Sequence, residues 1–489
     1  MERKIRTSAL AVALCLGATA ISTNALAVCE PDYSGVTVTV GSQNGPFIAS
    51  ALRTAGTAWE AQTCGKVKIV EFPFGELFPK FLTGMQTGSS EIDVISYIPA
   101  WLPDFNIFLS EMPQSMQEGE YWNDIHPVYR ERLMLWDGKV KSATMDGDMH
   151  MLNYRADLFN DPKEQAAFKA KYGYALAAPV TWDQYYDIAE FFHRPDQGLY
   201  GTAEAYKRGG QQFWYFFSHA ASYTNDPKNP GSMFFDPDTM NAQIDNAGWL
   251  KALKDYKRGL DYNPPGALNN GSGDVRPLYA GGKVAMNIDW ADSGVLGANP
   301  KESRIVGNVR TAMLPGSKSM WNAKEGKWNE YNEVVASPFL AFGGWQLAVP
   351  QSSRNKAAAW NFVQTVTSQE HSSKAIVTAN TGVNPYRLSH YDNIDNWLAI
   401  FSKPEAESYL AAQRASLDAP NVALDLRIPG FFAYTEILEI ELSRALAGKV
   451  TEQEALDSIA KQWNQLTDDF GRESQLKAYR SAMGLPEKK

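Results

Sequence analysis

Between residues 36 and 40 the chain alternates valine with threonine, the period of a strand with one face buried. The break Gly41-Ser42-Gln43-Asn44-Gly45-Pro46 ends that alternation, and over 47–61 apolar positions return at helical spacing. A short strand over 67–72, a helical segment over 77–87 and a strand over 93–97 follow at once. This β-α-β-α-β order predicts a mostly parallel sheet with helices on its faces. Ligands of such sheets sit beyond the carboxyl ends of the strands, which here are the loops at 42–45 and 97–102.

The same two periods continue along the chain. Residues 149–154 read as a strand, and Asp161-Pro162 and Ala178-Pro179 bracket a helix over 163–172. Thr181-Trp182-Asp183-Gln184 has the form of a capped helix start, with Thr181 as N-cap and Gln184 three positions on. The middle third is helical but broken by Asn225-Asp226-Pro227 and Asn263-Pro264-Pro265-Gly266, which read as loops and not as linkers. Strands are predicted over 283–288 and 345–349, a helix over 355–367, and helices again beyond Tyr434. With 489 residues and no repeat or low-complexity tract, the chain is too long for one core and predicts two or three compact units.

The first 27 residues stand apart. Arg3, Lys4 and Arg6 precede an apolar run over 9–20, and Ala25-Leu26-Ala27 closes it, the order of a secretory signal peptide. The run falls short of the ~20 residues that a membrane-spanning helix needs. A soluble periplasmic protein beginning near Val28 is therefore expected. Val28 is a poor residue to precede a lipidated cysteine, which argues against an anchor at Cys29. Cys15 departs with the leader, leaving Cys29 and Cys64 to pair in an oxidising compartment. Closing that loop stabilises by roughly 3–4 kcal/mol.

Composition narrows the partners. The formal charge of −9 includes a basic leader, so the remainder is more acidic still, and no basic stripe offsets it. That argues against nucleic acid and anionic membrane surfaces as partners. The six histidines are scattered without metal-ligand spacing, and no phosphate-cradling loop is present, so neither a metal nor a cofactor is expected. The 14 Trp, 22 Tyr and 23 Phe supply many flat apolar faces with polar edges, which suit ligands that are C–H-rich on their faces and hydroxylated at the rim. Most of those rings must also serve as core.

Five motifs in order carry a family resemblance. They are Asp93-Val94-Ile95-Ser96-Tyr97 with Trp101; Met145-Asp146-Gly147-Asp148-Met149 leading to Leu152-Asn153-Tyr154-Arg155-Ala156-Asp157-Leu158-Phe159; Pro179-Val180-Thr181-Trp182-Asp183-Gln184; Tyr279-Ala280-Gly281-Gly282-Lys283-Val284-Ala285-Met286 with Asp289-Trp290; and Gly343-Gly344-Trp345-Gln346-Leu347-Ala348-Val349-Pro350 before the helix at 355. In that order the chain resembles the extracellular solute-binding protein family 1, the maltose-type binding proteins of ABC importers. The resemblance spans roughly 36–387 and implies a two-lobed α/β fold, each lobe a mostly parallel sheet flanked by helices, joined by crossing hinge strands. It implies lobes at 28–146 with 309–347 and at 147–308 with 348–489. It further implies capture of a carbohydrate or sugar alcohol by lobe closure and delivery to the permease subunits of an ABC importer, by a monomer that is not an enzyme. An insert at 315–337 and an extension beyond Arg387 depart from the family pattern; Trp321 and Trp328 of the insert are candidates to cover the cleft mouth.

Candidate contacts are residues at strand ends that pair aromatic faces with hydrogen-bonding groups, because a buried hydroxyl left unpaired costs about 1–3 kcal/mol. From the first lobe these are Gln43 and Asn44, with Tyr97 and Trp101 as stacking surfaces; Asn44 also reads as a turn residue. Asp146 is a hinge carboxylate able to accept two hydroxyl protons, or a turn aspartate. The second lobe offers Gln211, Gln212, Trp214, Asp289 and Trp290, although Trp214 lies in a run that reads as core. Gly344 before Trp345 allows close backbone approach to a ligand or to a packed neighbour. Arg387 reaches the cleft or pins the C-terminal segment. The competing class is a secreted glycoside-acting enzyme with two carboxylates about 5–10 Å apart, for which no motif is present.

Overall fold

The computed structural model of the chain describes residues 29–378 and 381–486, so the expected leader lies outside the described residues. Cys29 is bonded to Cys64 at the end of the first helix, the pairing expected of the two remaining cysteines.

Two sheets organise the chain. Strands β1 (Thr37–Gln43), β2 (Lys66–Phe72), β3 (Val94–Tyr97) and β4 (Ala143–Thr144) belong to the first. Strands β5 (His150–Arg155), β6 (Tyr200–Ala203), β7 (Val284–Trp290) and β8 (Val309–Ala312) form the second, and β9 (Gln346–Ala348) returns to the first. The orders are β2-β1-β3-β9-β4 and β8-β5-β7-β6. As the opening pattern predicts, β1 pairs in parallel with β2 and β3, and helices α1 (Pro46–Thr63) and α2 (Phe74–Gln86) make the crossovers. Both sheets are nevertheless mixed: β9 runs antiparallel to β3 and β4, and β5 antiparallel to β7 and β8. A short crossing delivers the chain to the near end of the next sheet, so the strand it starts runs opposite to those built by helical crossovers.

Each element buries the face its sequence provides. Helix α1 turns Ile48, Leu52, Ala55 and Trp59 inward at helical spacing, and Trp59 Nε1 donates to Asn361 Oδ1 at 2.8 Å. Helix α3 (Trp182–Phe192) starts as expected, with Gln184 N donating to Thr181 Oγ1 at 3.3 Å and Gln184 Oε1 accepting from Val180 N at 2.9 Å. Helix α4 (Gln212–Thr224) is buried along its whole length, under α5 (Ala247–Arg258) on one side. The expected insert is a hairpin, Ser317–Asn322 with Lys327–Val335, laid over α4 and α5. Asp226 pins it by accepting from Asn329 Nδ2 at 2.7 Å and from the Tyr331 hydroxyl. Trp321 and Trp328 pack on each other there instead of covering the cleft.

Segment membership differs from the expected division. Residues 309–312 are strand β8 of the second sheet, whereas Ala348 ends a strand of the first. Helix α6 (Ser272–Ala280) packs on β7, and α7 (Lys356–Val366) packs on α1, so the chain after 348 continues beside the first sheet. It then returns: α8 (Lys403–Leu417) lies on β8, with Glu405 Oε1 accepting from Val309 N at 3.1 Å. Helix α9 (Phe431–Leu446) packs on α4 and on α10 (Glu452–Asp469).

The crossing segments meet in backbone contact. Met145 N donates to Trp345 O at 3.0 Å and Gly147 N to Asn384 O at 3.1 Å. Glycine is required at two of these positions: a Cβ on Gly147 would lie 2.1 Å from Pro385 O, and one on Gly344, whose φ is +79°, 1.8 Å from Asp146 O.

Candidate functional site

The carboxyl end of β1, the loop after β6, the first turns of α6 and the end of β7 enclose a cleft of about 340 Å³ between the two sheets. The parallel topology places these strand ends together, so chemistry from both sheets converges on one space.

Arg276 on α6 is its polar centre. Its Nη1 and Nη2 donate to the two oxygens of Asp292 at 2.7 and 3.0 Å, and its Nε donates to Asp289 Oδ1 at 3.3 Å. Burial opposes the guanidinium charge, and the Asp292 and Asp289 carboxylates outweigh it. Burial raises Asp289 to about 6 against the pull of Arg276, and raises Asp292 as well. Above the guanidinium lie the Phe47 ring, 5.5 Å from its centre, and the Trp290 ring at 5.9 Å. Phe47 opens α1 beside the first sheet and Arg276 belongs to the second, so this cation–π contact bridges the cleft.

The floor is the hinge. Asp146 accepts the backbone N–H of Asn384 at 2.7 Å and of Trp345 at 3.4 Å, while Asn384 Nδ2 donates to Asp148 at 2.6 Å. Burial raises both carboxyls, Asp148 further than Asp146 because the Asp146 charge adds to it. Asp148 lines the cleft, where burial and the neighbouring Asp146 charge disfavour its ionised form. Among the described residues no protein acceptor pairs with the Gln43 amide, the Lys207 ammonium or the Trp345 indole N–H, all of which line the cleft.

Of the residues singled out from sequence, Gln43, Gln211, Trp290 and Trp345 line this cleft. Gln211 holds a left-handed φ of 72° and accepts from the Ser272 hydroxyl, tying the β6 loop to α6. Trp101 and Trp214 line an adjoining chamber, and Trp214 Nε1 donates to Asp425 Oδ2 at 2.6 Å. The others serve the frame. Asn44 is exposed on the outer turn, its N–H donating to Phe72 O. Tyr97 is wholly buried against Phe105. Gln212 faces inward, its amide donating to Glu439 O and Ser443 Oγ. Asp146 and Gly344 belong to the hinge crossing, and Asp289 lies behind Arg276, where it orients the guanidinium. Arg387 is fully buried away from the cleft; it donates to Tyr121 O at 2.9 Å, Asp124 Oδ2 at 3.3 Å and Thr367 O, and so pins the C-terminal segment. Pattern reasoning passed over Phe47, Phe74, Lys207, Arg276 and Asp292. The available signal was the pair of glycine clusters, Gly209-Gly210 and Gly271-Ser272-Gly273, where two loops approach so closely that a Cβ on Gly210 would meet Gly271 Cα at 2.8 Å.

Among the described residues, no helix is long and apolar enough to cross a membrane and no group of three or more His, Cys, Asp or Glu side chains is arranged to hold a metal ion.

Known proteins share this fold. A mannitol-binding protein of Pseudomonas aeruginosa is 27% identical over 344 residues, which cover 68% of this chain and 70% of that one. A solute-binding protein of an ABC transporter from Agrobacterium radiobacter, solved with ribitol, superposes with a TM-score of 0.71 at 21% identity, covering 89% of this chain and all of that one. Another from Agrobacterium vitis, solved with D-mannitol, gives 0.69 at 24% identity and covers 89% and 99%. The sequence pattern of the bacterial extracellular solute-binding proteins matches residues 46–371, and the chain belongs to that family.

Proposed function

We propose that this protein captures a neutral polyol or sugar in the cleft between its two sheets, with a hexitol of the mannitol type as the first candidate, and presents it to the membrane subunits of an ABC importer. The observation that carries this reading is the state of the charges: Arg276 is already spent on Asp292 and Asp289. What is left for a ligand is hydrogen bonding from Gln43, Asp148 and the Trp345 N–H, beside the faces of Trp290, Trp345 and Phe74. That pattern suits hydroxyl groups on a C–H framework, and among the described lining residues Lys207 is the cation left to an organic anion. The mannitol-binding relative supports the same reading.

The lobes are the two sheets with their helices, closing about the crossings at 145–149, 341–345 and 381–387, and the Phe47–Arg276 contact belongs to the closed form. No covalent chemistry is assigned: Asp292 is clamped by Arg276, and Asp148 is held in the hinge, where it accepts from Asn384 Nδ2 at 2.6 Å. The protein works as a periplasmic monomer. A thermal-shift series with D-mannitol, ribitol, maltose and an amino-acid mixture tests the reading. A polyol or sugar at 100 times its dissociation constant stabilises by ~2.7 kcal/mol. A shift with amino acids alone overturns it.

A further inference from the structure

More carboxyls than cations are buried at the hinge end of the cleft. Asp146, Asp148, Asp289 and Asp292 are each 6% exposed or less, and the Arg276 guanidinium gives its hydrogen bonds to Asp292 and Asp289. Among the described residues no cation is paired with Asp146 or Asp148.

What these two carboxyls have instead is each other and one amide. Their side chains lie within hydrogen-bonding reach, and Asn384 Nδ2 sits between them, donating to Asp148 Oδ1 at 2.6 Å and to Asp146 Oδ1 at 3.5 Å. The amide is fixed in that sense because Asn384 Oδ1 accepts from the Tyr409 hydroxyl of α8 at 3.3 Å. The Tyr129 hydroxyl is buried beside the same turn, 2.9 Å from where a Cβ on Gly147 would stand, and has no partner among the described residues. An ionised carboxylate only accepts, so a hydrogen bond from one carboxyl to the other exists only with a proton between them.

The surrounding charge acts in the same direction. Burial raises both carboxyls most, the Asp146 and Asp292 charges raise Asp148 further, and Arg276 of α6 opposes them. Asp289 on β7, Lys207 in the loop after β6, and the Tyr129, Tyr391 and Tyr409 hydroxyls complete the ionisable groups that face this part of the hinge and cleft; burial keeps the three tyrosines neutral.

Asp148 joins the buried pair to the cleft, whose wall it helps to form. Rotation of the lobes about the crossing at 145–149 widens the cleft and lets water reach Asp148, which removes the burial that favours its neutral form. We infer that closure of the lobes on a ligand takes up a proton into the Asp146–Asp148 pair, so that capture tightens as pH falls. The sign follows from linkage: the closed form holds the proton more strongly than the open form, so the gain appears below the closed-form titration and levels off once the open form is protonated too. This inference rests on the polyol-or-sugar reading of the cleft and names how that site is regulated.

The test is calorimetric titration of the full chain with D-mannitol near pH 7 in phosphate and in Tris, whose different heats of protonation report the protons bound per ligand. The expected result is uptake of about half a proton or more, with a dissociation constant that falls roughly three- to tenfold for each pH unit of acidification. Asp148→Asn, and separately Asp146→Asn, should abolish the uptake; undiminished uptake in either variant that binds mannitol overturns the assignment to this pair. An infrared difference spectrum of the wild type, mannitol-bound minus free, should gain the carbonyl band of a protonated carboxylic acid, which reads the same event when neither variant binds. No gain in that band overturns the inference. Mannitol binding with equal heats in the two buffers, or with proton release, also overturns it and leaves the cleft reading standing. No binding of mannitol, ribitol or maltose overturns the cleft reading and the inference together.

Discussion

Replacing Arg276 with methionine keeps an unbranched apolar stem without the guanidinium and so removes the cation that pairs with both Asp289 and Asp292. Removing one partner of a buried pair costs ~3–5 kcal/mol, because a charge is left without compensation. Here the loss has a pH signature. Asp292 escapes the penalty by taking up a proton, which at pH 7.5 costs at most about 5 kcal/mol relative to an unfolded aspartate near 3.9. At pH 5 the same protonation costs about 1.5 kcal/mol. The folded variant then binds one proton more than its unfolded state over this range, so its stability rises as pH falls. Asp289, already raised to about 6 by burial, adds a smaller loss of the same sign only above its own pKa, where the wild-type carboxyl is charged. Urea denaturation of Arg276→Met and wild type at both pH values should give a stability deficit near 4–5 kcal/mol at pH 7.5 that shrinks by ~3 kcal/mol at pH 5. An equal deficit at the two pH values would refute the claim that this arginine neutralises a buried carboxylate. Mannitol titration of the same variant should also show lost affinity, since Phe47 and Trp290 lose the cation they stack on.

Three further outcomes are expected. Trp290→Ala removes a cleft face and a ring packed on His150, Tyr215 and Phe342, so it should abolish the mannitol thermal shift and lower stability by ~3–5 kcal/mol; a retained ligand shift contradicts its role. Gly344→Ala drives a Cβ into Asp146 O at 1.8 Å, and should yield little soluble folded protein; a wild-type melting temperature speaks against the crossing described above. Reducing the Cys29–Cys64 bond, which closes a span of 35 residues, should lower stability by roughly 4 kcal/mol, read as a shifted urea midpoint with and without reductant. An unchanged midpoint would mean that the N-terminal strap adds nothing to the fold.

What the chain alone determined is local. Valine alternation and the glycine-proline break set β1 and α1, Thr181 and Gln184 set the start of α3, and the two cysteines beyond the expected leader left a single pairing. These depend on neighbours within a few positions, where periodicity and capping chemistry act. Gln43, Trp290 and Trp345 were legible as cleft residues for the same reason, since each sits at a predicted strand end. Tertiary structure decided the rest. Arg276 sits inside a helix, and nothing nearby in sequence reveals that Asp289 and Asp292 will meet it at the mouth of β7. Asp146 and Gly344 have the composition of ligand contacts, but the close crossing of the segments around 146, 344 and 384 turns both to the hinge. Likewise, the division of the chain between sheets depends on where it crosses back, a choice made by long-range packing of β8, α7 and α8 and carried by no local signal.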